Sequence, residues 1–198
     1  MKKKLTIAAL ALFMITAAAS TVSALDFNFT KFAEGVGDQK FHAGINMGIG
    51  ALPYDLSLPA IQASFEYNVG NQFLNGLPIT AGVCFGVTGY DNKGDPKTLA
   101  GQWTGSLIGI GVKGNWHIDL GIPNLDTYGG LTLGILLWPE QNVFTHNGGE
   151  QTNDFNHTTM LYGINLGVKY YFTEMIGAYL EVGYSQISIV QLGLALKF

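Results

Sequence analysis

The chain has 198 residues and a formal net charge of −4; only 12% of its residues are charged, while 47% are hydrophobic. All ten basic residues are lysines and none of them clusters outside the N-terminus, which excludes the basic patch of a nucleic-acid-binding protein. Beyond residue 24 the longest purely apolar run is residues 135–138, too short for a membrane-spanning helix.

The N-terminus has the three parts of an export signal. Lys2, Lys3 and Lys4 form a basic start, residues 5–19 are apolar, and residues 22–24 are small at the positions that a signal peptidase reads. We expect a signal peptide at residues 1–24 that is cleaved after Ala24. A retained anchor is the weaker alternative, because the apolar stretch is short for a bilayer span. Without the three signal lysines, seven lysines face 14 acidic residues, so the mature chain is acidic.

Apolar residues recur at every second position in eight segments after residue 39. In the clearest segment, Ile108, Ile110 and Val112 alternate with glycines and Lys113. This period of two is typical of strands with one apolar face. An even number of strands of about ten residues predicts an all-β fold, specifically an eight-stranded antiparallel up-and-down transmembrane β-barrel at residues 40–198. The predicted strands cover about 40–50, 60–69, 77–90, 104–119, 126–138, 159–172, 175–184 and 190–198.

Alternation alone does not decide which face of the barrel points inward, since a soluble barrel would bury the apolar face. Here the other face is rich in Gly, Asn, Ser and Thr and poor in charge, which suits a narrow lumen better than a water-exposed surface. Outward aromatic residues also collect near one end of the strands, as in the interfacial girdle of a membrane barrel. They are Phe41, Tyr67, Trp116, Tyr170, Phe172 and Phe198.

Connector lengths predict the orientation in the membrane. Connections 3 and 5, at residues 91–103 and 139–158, are the longest and are expected outside the cell, where an external ligand would bind. The connections at the other end are short, which predicts a periplasmic N-terminus. Residues 25–39 form a periplasmic N-terminal segment, and the sequence leaves open whether it is a loose tail or fills the lumen.

Topology, girdle and closing strand together resemble the superfamily of small eight-stranded outer-membrane barrels that includes the OmpA transmembrane domain, OmpX, OmpW and opacity-like surface proteins. The resemblance covers about residues 40–198. It implies integral localisation in the bacterial outer membrane in contact with its lipid, and assembly by periplasmic chaperones and the barrel assembly machinery. The alternating run that ends on Phe198 looks like the C-terminal assembly signal of such barrels.

Several ionisable residues are predicted to point into the lumen. Glu66, Lys113, Lys169 and Glu181 are the candidates for a lumenal charge network, because buried charges are tolerated when they are paired. Such a network resembles the charged plug of OmpA-type barrels. Alternatively, the same residues line a thin polar pathway and tune its ion preference.

The sequence does not favour an enzyme. A lipid-modifying activity needs a base beside a nucleophile within reach of lipid, whereas His42 and His117 are predicted to face inward. His146, Glu150, Asp154 and His157 lie in connection 5, whose composition indicates a solvated loop rather than a metal site. We therefore expect no catalytic, metal or cofactor site.

The predicted function is that of a non-enzymatic surface protein that presents its external connections for interaction or supports envelope integrity. The alternative is a narrow porin-like channel or an OmpW-like conduit for small solutes. Conductance across a bilayer would separate these two classes of function.

Overall fold

The computed structural model describes residues 27–34, 36–49, 55–92, 102–146 and 149–198. The predicted signal peptide at residues 1–24 and most of connection 3 lie outside the described residues. Within them, no helix is long and apolar enough to cross a membrane, a result that concerns helices alone.

Eight antiparallel strands form one closed barrel in which each strand pairs with the next and the last pairs with the first. The predicted eight-stranded up-and-down β-barrel is therefore confirmed. A five-residue helix, α1, follows the second strand. The elements are β1 (Phe41–Ile49), β2 (Asp55–Asn68), α1 (Val69–Phe73), β3 (Ile79–Asn92), β4 (Gln102–Ile118), β5 (Leu125–His146), β6 (Gly149–Tyr171), β7 (Ile176–Ser185) and β8 (Val190–Lys197).

The packing of the barrel is inverted relative to a water-soluble protein. Ile45, Met47, Val112 and Leu131 point outward and are each more than half exposed. The residues between them on the same strands point into the lumen, where charged and amide side chains are buried. The alternation in the sequence thus separates an apolar outer surface from a polar interior.

The two ends of the barrel differ in height. The N-terminal end, where β1 begins and β8 ends, carries short connections. At the opposite end, which we call the hairpin end, β5 and β6 stay paired from Leu125↔Tyr170 to His146↔Gly149, whereas β6 pairs with β7 only between Gly163 and Tyr171. The β5–β6 hairpin therefore rises well past β7.

This hairpin corrects the predicted boundaries of strands 5 and 6. Residues 139–158 were expected to form a loop, but nearly all of them continue the ladder of β5 and β6. Their sequence has no continuous apolar face, unlike the parts of β5 and β6 that form the barrel wall. A period-two search for apolar residues does not detect such a strand.

The seam between β1 and β8 closes at the last residue of the chain. The Phe198 amide donates to the Phe41 carbonyl at 2.9 Å, and the Phe41 amide donates to the Phe198 carbonyl at 2.8 Å. The Phe41 ring also lies 5.9 Å from the Phe198 ring and 5.2 Å from the Tyr67 ring, measured between centroids. Three of the six predicted girdle residues thus meet at the seam.

Candidate functional site

All four predicted network residues lie in the middle of the lumen and are buried. Lys113 and Glu181 form a direct ion pair, with 2.5 Å between Nζ and Oε2. The Tyr128 hydroxyl donates to the same carboxylate oxygen at 2.9 Å. Lys169 contacts the ring of the same tyrosine: its Nζ lies 4.5 Å from the centroid of the Tyr128 ring, within the range of a cation–π interaction. Tyr128 is thus the centre around which three of the predicted residues gather.

Glu66, the fourth predicted residue, is held differently from what the sequence indicated. It accepts hydrogen bonds from Thr80 Oγ1 at 2.6 Å and Asn115 Nδ2 at 2.7 Å. Within the described residues it forms no ion pair shorter than 4 Å. The carboxylate is therefore stabilised by neutral donors, with lysine charges farther away.

A second buried pair extends this network. His117 Nδ1 lies 2.7 Å from Asp126 Oδ1, and His117 Nε2 lies 2.9 Å from Thr80 Oγ1. Thr80 gives its one hydroxyl proton to Glu66, so its oxygen is left to accept a hydrogen bond from His117 Nε2. His117 thus connects two carboxylates, Asp126 directly and Glu66 through Thr80.

This chain of contacts has the residue order of a hydrolase triad but not its chemistry. A nucleophilic hydroxyl must pass its proton to the histidine and reach a substrate. Thr80 is fully buried and its proton is directed at Glu66, so it neither passes that proton to His117 nor reaches a substrate. The arrangement suits a structural network rather than nucleophilic catalysis.

Residues near the N-terminus fill the lumen at the N-terminal end of the barrel, which resolves the alternative that the sequence left open. Phe32, Ala33 and Val36 are buried in one cluster with Tyr171 and Tyr179 of the barrel wall. The described part of the N-terminal segment is therefore a lumen-filling element and not a loose tail.

An apolar layer fills the lumen toward the hairpin end. Its members come from six different parts of the chain, and Ile187 of the β7–β8 turn folds inward among them. A Cβ on Gly109 would lie 2.5 Å from Ile187 Cδ1, so the end of that side chain packs directly over the glycine. The layer consists of Ala60, Tyr90, Leu107, Leu136, Leu161 and Ile187, with Trp138 packed against it.

Between this layer and the Lys113–Glu181 pair lies an enclosed cavity of about 40 Å³. Its lining includes Asn46, Cys84 and Gln191. A cavity of this size holds only a few water molecules. The described lumen is thus divided into an apolar layer, a small polar cavity, a charge network and the N-terminal segment, in that order.

Above the apolar layer, an open groove runs along the wall formed by β3 to β6. Asp91, Glu140 and Asp154 line it together with Phe155. Glu140 accepts a hydrogen bond from the Tyr90 hydroxyl, which in turn accepts one from Trp138 Nε1. Connection 5 therefore supplies two of the carboxylates in the groove, Glu140 and Asp154, instead of forming the solvated loop expected from its composition.

Sequence reasoning placed His117 in the lumen but did not pair it with Asp126, and it did not identify Thr80, Asn115 and Tyr128 as partners in the network. Buried threonine, asparagine and tyrosine carry no signal beyond their inward register, so the network partners are visible only once the barrel closes. Among the described residues no group of three His, Cys, Asp or Glu side chains is placed to hold a metal ion.

No family model and no curated protein matches the chain. Solved structures with a related architecture include the N-terminal β-barrel domain of Pseudomonas aeruginosa OprF, with a TM-score of 0.43, 14% identity, and coverage of 81% of this chain and 98% of that one. The attachment invasion locus protein Ail of Yersinia pestis, in complex with the heparin analogue sucrose octasulfate, gives a TM-score of 0.43, 14% identity and coverage of 80% and 94%. Neisserial surface protein A (NspA) has a TM-score of 0.39 and 16% identity, with coverage of 80% of this chain and 95% of that one. The likeness concerns architecture only.

Proposed function

We propose that the chain is a non-enzymatic integral protein of the bacterial outer membrane that presents its β5–β6 hairpin to the outside of the cell. The inverted packing of the barrel carries this proposal. An outer surface built from Ile45, Met47, Val112 and Leu131 would aggregate in water but is solvated by lipid. The closed strand ladder leaves no unpaired sheet edge around the barrel wall, as a bilayer requires.

The filled lumen favours a surface or structural role over a channel. Three lysines and four carboxylates are buried there, and packed apolar residues lie on both sides of the charge network. A conducting pathway would need a continuous polar passage wide enough for ions. The buried lysines and carboxylates are Glu66, Lys113, Asp119, Asp126, Lys169, Glu181 and Lys197.

The acidic groove on the hairpin favours a partner with a basic surface. Asp91, Glu140 and Asp154 face the same open space, and Phe155 adds an apolar contact. Complementary charge increases the rate of encounter and selects against acidic partners. We therefore infer that the external ligand, if it binds at the hairpin, is a basic peptide or protein segment.

Epitope insertion in intact cells tests the orientation. An epitope inserted between His146 and Gly149, the last described pair of the β5–β6 ladder, should bind antibody on intact cells. The same epitope between Thr173 and Glu174, in the turn at the N-terminal end, should bind only after the outer membrane is permeabilised. The reverse result would overturn the proposed orientation, and recovery of both variants in the soluble fraction would overturn the membrane assignment.

A further inference from the structure

We propose that the mouth at the N-terminal end of the barrel is a peptide-binding site whose ligand is the chain's own residues 28–34 and 36–37, held reversibly. These residues contact the mouth in the way that a bound peptide contacts its receptor. We call them the N-terminal plug.

Main-chain contacts position the first half of the plug. Asn28 and Asp119 exchange two backbone hydrogen bonds, at 2.8 and 2.9 Å, and form a single antiparallel bridge at the end of β4. Trp116 Nε1 donates to the Phe29 carbonyl at 3.0 Å. The bridge corresponds to β-strand addition limited to one residue pair. Its backbone hydrogen bonds orient the plug but do not select for particular side chains.

Side chains give the site its sequence preference. Lys31 Nζ pairs with Asp119 Oδ2 at 3.1 Å. The Phe32 ring then turns into the lumen and packs on His117, with 5.0 Å between ring centroids. Val36 is fully buried, and Asn68 Nδ2 donates to the Gly37 carbonyl at 3.2 Å. The site thus accepts a lysine followed directly by an aromatic residue, with an aliphatic residue four positions later.

The contacts that retain the plug are few compared with those of a barrel strand. The bridge contains one residue pair, whereas the shortest strand pairing in the barrel contains seven. Phe27, Phe29 and Lys31 are each more than half exposed. Release would restore the backbone freedom of about ten residues, and this gain in conformational entropy favours the released state. Segments with few buried contacts open without global unfolding.

Cysteine accessibility in the full-length protein tests release. Ala33 and Ala195 are both buried in the interface, on the plug and on the wall respectively. We would introduce Ala33→Cys or Ala195→Cys together with Cys84→Ser and measure labelling by a charged thiol reagent. Cys84 of the otherwise unchanged protein lines the enclosed cavity and reports any general loosening of the barrel.

If the plug is released reversibly, the two introduced cysteines should be labelled at similar rates and Cys84 much more slowly. Phe32→Ala should speed the labelling of both by at least about tenfold, because it removes a buried aromatic side chain. Phe27→Ala is the matched control, since its ring is largely exposed, and it should change neither rate.

A free peptide with the sequence of residues 27–39 tests the binding site itself. Added to the Phe32→Ala variant, it should slow the labelling of the cysteine at position 195, whereas a scrambled peptide should not. Two results would overturn the proposal: introduced cysteines that react no faster than Cys84, or Phe32→Ala accelerating Cys84 equally. Absence of protection by the free peptide would overturn the assignment of a peptide site.

Discussion

At the scale of single residues, the lumen contains buried charged side chains that are dehydrated and are held by fixed side-chain partners. Lys113 and Glu181 are the closest of these pairs, and Tyr128 supplies a third hydrogen-bonding group to the same carboxylate. An intact buried pair adds little to the free energy of folding, but removing one partner is strongly destabilising. The charge that remains then has neither solvent nor an opposite charge to stabilise it.

The first prediction concerns this pair. Lys113→Ala should lower the free energy of unfolding in lipid bilayers by about 3–5 kcal/mol, because Glu181 would keep only the Tyr128 hydroxyl. The matched control is Lys31→Ala, which removes a lysine from the exposed pair with Asp119 and should cost less than about 1 kcal/mol. Urea titration measures both. Equal losses would show that the lumen solvates Glu181.

The second prediction concerns Thr80. Thr80→Val keeps the side-chain shape but removes the donor to Glu66 and the acceptor for His117, so it should cost about 1.5–3 kcal/mol, as for bonds to charged groups. Thr88→Val, at an equally buried position where the hydroxyl bonds only the Leu58 carbonyl, should cost about 0.5–1.5 kcal/mol. The same urea titration distinguishes them, and a larger loss for Thr88→Val would contradict the proposed network.

At this scale the sequence predicted positions better than contacts. The period of two placed Glu66, Lys113 and Glu181 on the inner face, and they lie there. It did not reveal that Lys113 forms its ion pair with Glu181, or that Glu66 instead accepts hydrogen bonds from Thr80 and Asn115. That choice depends on the relative stagger of strands far apart in the chain, which a single sequence does not encode locally.

At the scale of elements, the β5–β6 hairpin and the N-terminal plug are the two features that give the barrel distinct ends. The hairpin leaves part of the β6 edge without a strand neighbour. The Gln186 side chain covers the lowest part of that edge, accepting from the Tyr162 amide at 3.0 Å and donating to the Met160 carbonyl at 3.0 Å. A side-chain amide here takes the place of the next strand and limits edge-to-edge association.

The third prediction concerns binding at the hairpin. A lysine-rich peptide should bind the protein in nanodiscs, with an affinity that falls as salt is raised, because the contacts are between exposed charges. Asp154→Asn should weaken binding several-fold by removing one groove carboxylate. Glu174→Asn, in the turn at the opposite end, is the control and should have no effect. Binding that is insensitive to Asp154 would contradict the proposed groove.

Neither element was predicted in full from the sequence. Residues 139–158 lack a continuous apolar face, so composition alone indicated a loop. The plug has no periodicity, and its burial depends on single side chains such as Phe32 and Val36 entering a mouth that β4, β6 and β7 build together. Elements without repeated patterns are accessible only through the closed structure.

At the scale of the whole molecule, the barrel is solid rather than hollow. The apolar layer around Leu107 and Ile187, the charge network and the plug fill successive levels of the lumen. The sequence predicted the polar level, but it did not predict the apolar one. The register of Leu131, Leu133 and Ile135 turns Leu136 inward, but a single inward leucine does not indicate that residues from other strands complete an apolar layer around it.

The fourth prediction follows from this filling. Wild-type protein in a planar bilayer should show no steady, ion-selective openings, because no continuous polar passage joins the two ends. Lys113→Ala should produce brief openings as the network loosens. Steady openings of the wild type would instead support the channel alternative, with Lys113→Ala changing its preference for cations over anions.

The fifth prediction concerns closure of the barrel. Deleting Phe198 removes both hydrogen bonds that it exchanges with Phe41, so the shortened chain should accumulate in the periplasm and be degraded. Phe172→Lys changes another exposed aromatic of the same girdle without touching the seam and should leave outer-membrane levels closer to normal. Membrane fractionation and the mobility shift between unheated and boiled samples report the outcome; normal levels of the deletion variant would contradict a closing role.

The seam at Phe41 and Phe198 also determines when the sheet can close during folding. The two residues exchange a pair of backbone hydrogen bonds although they lie at opposite ends of the eight-strand sequence. Contacts between residues so distant in sequence slow folding, because loop-closure entropy must be overcome before they form. Until β1 and β8 meet, both strands present unpaired backbone groups that could pair with another chain, so closure of the seam protects the protein against aggregation.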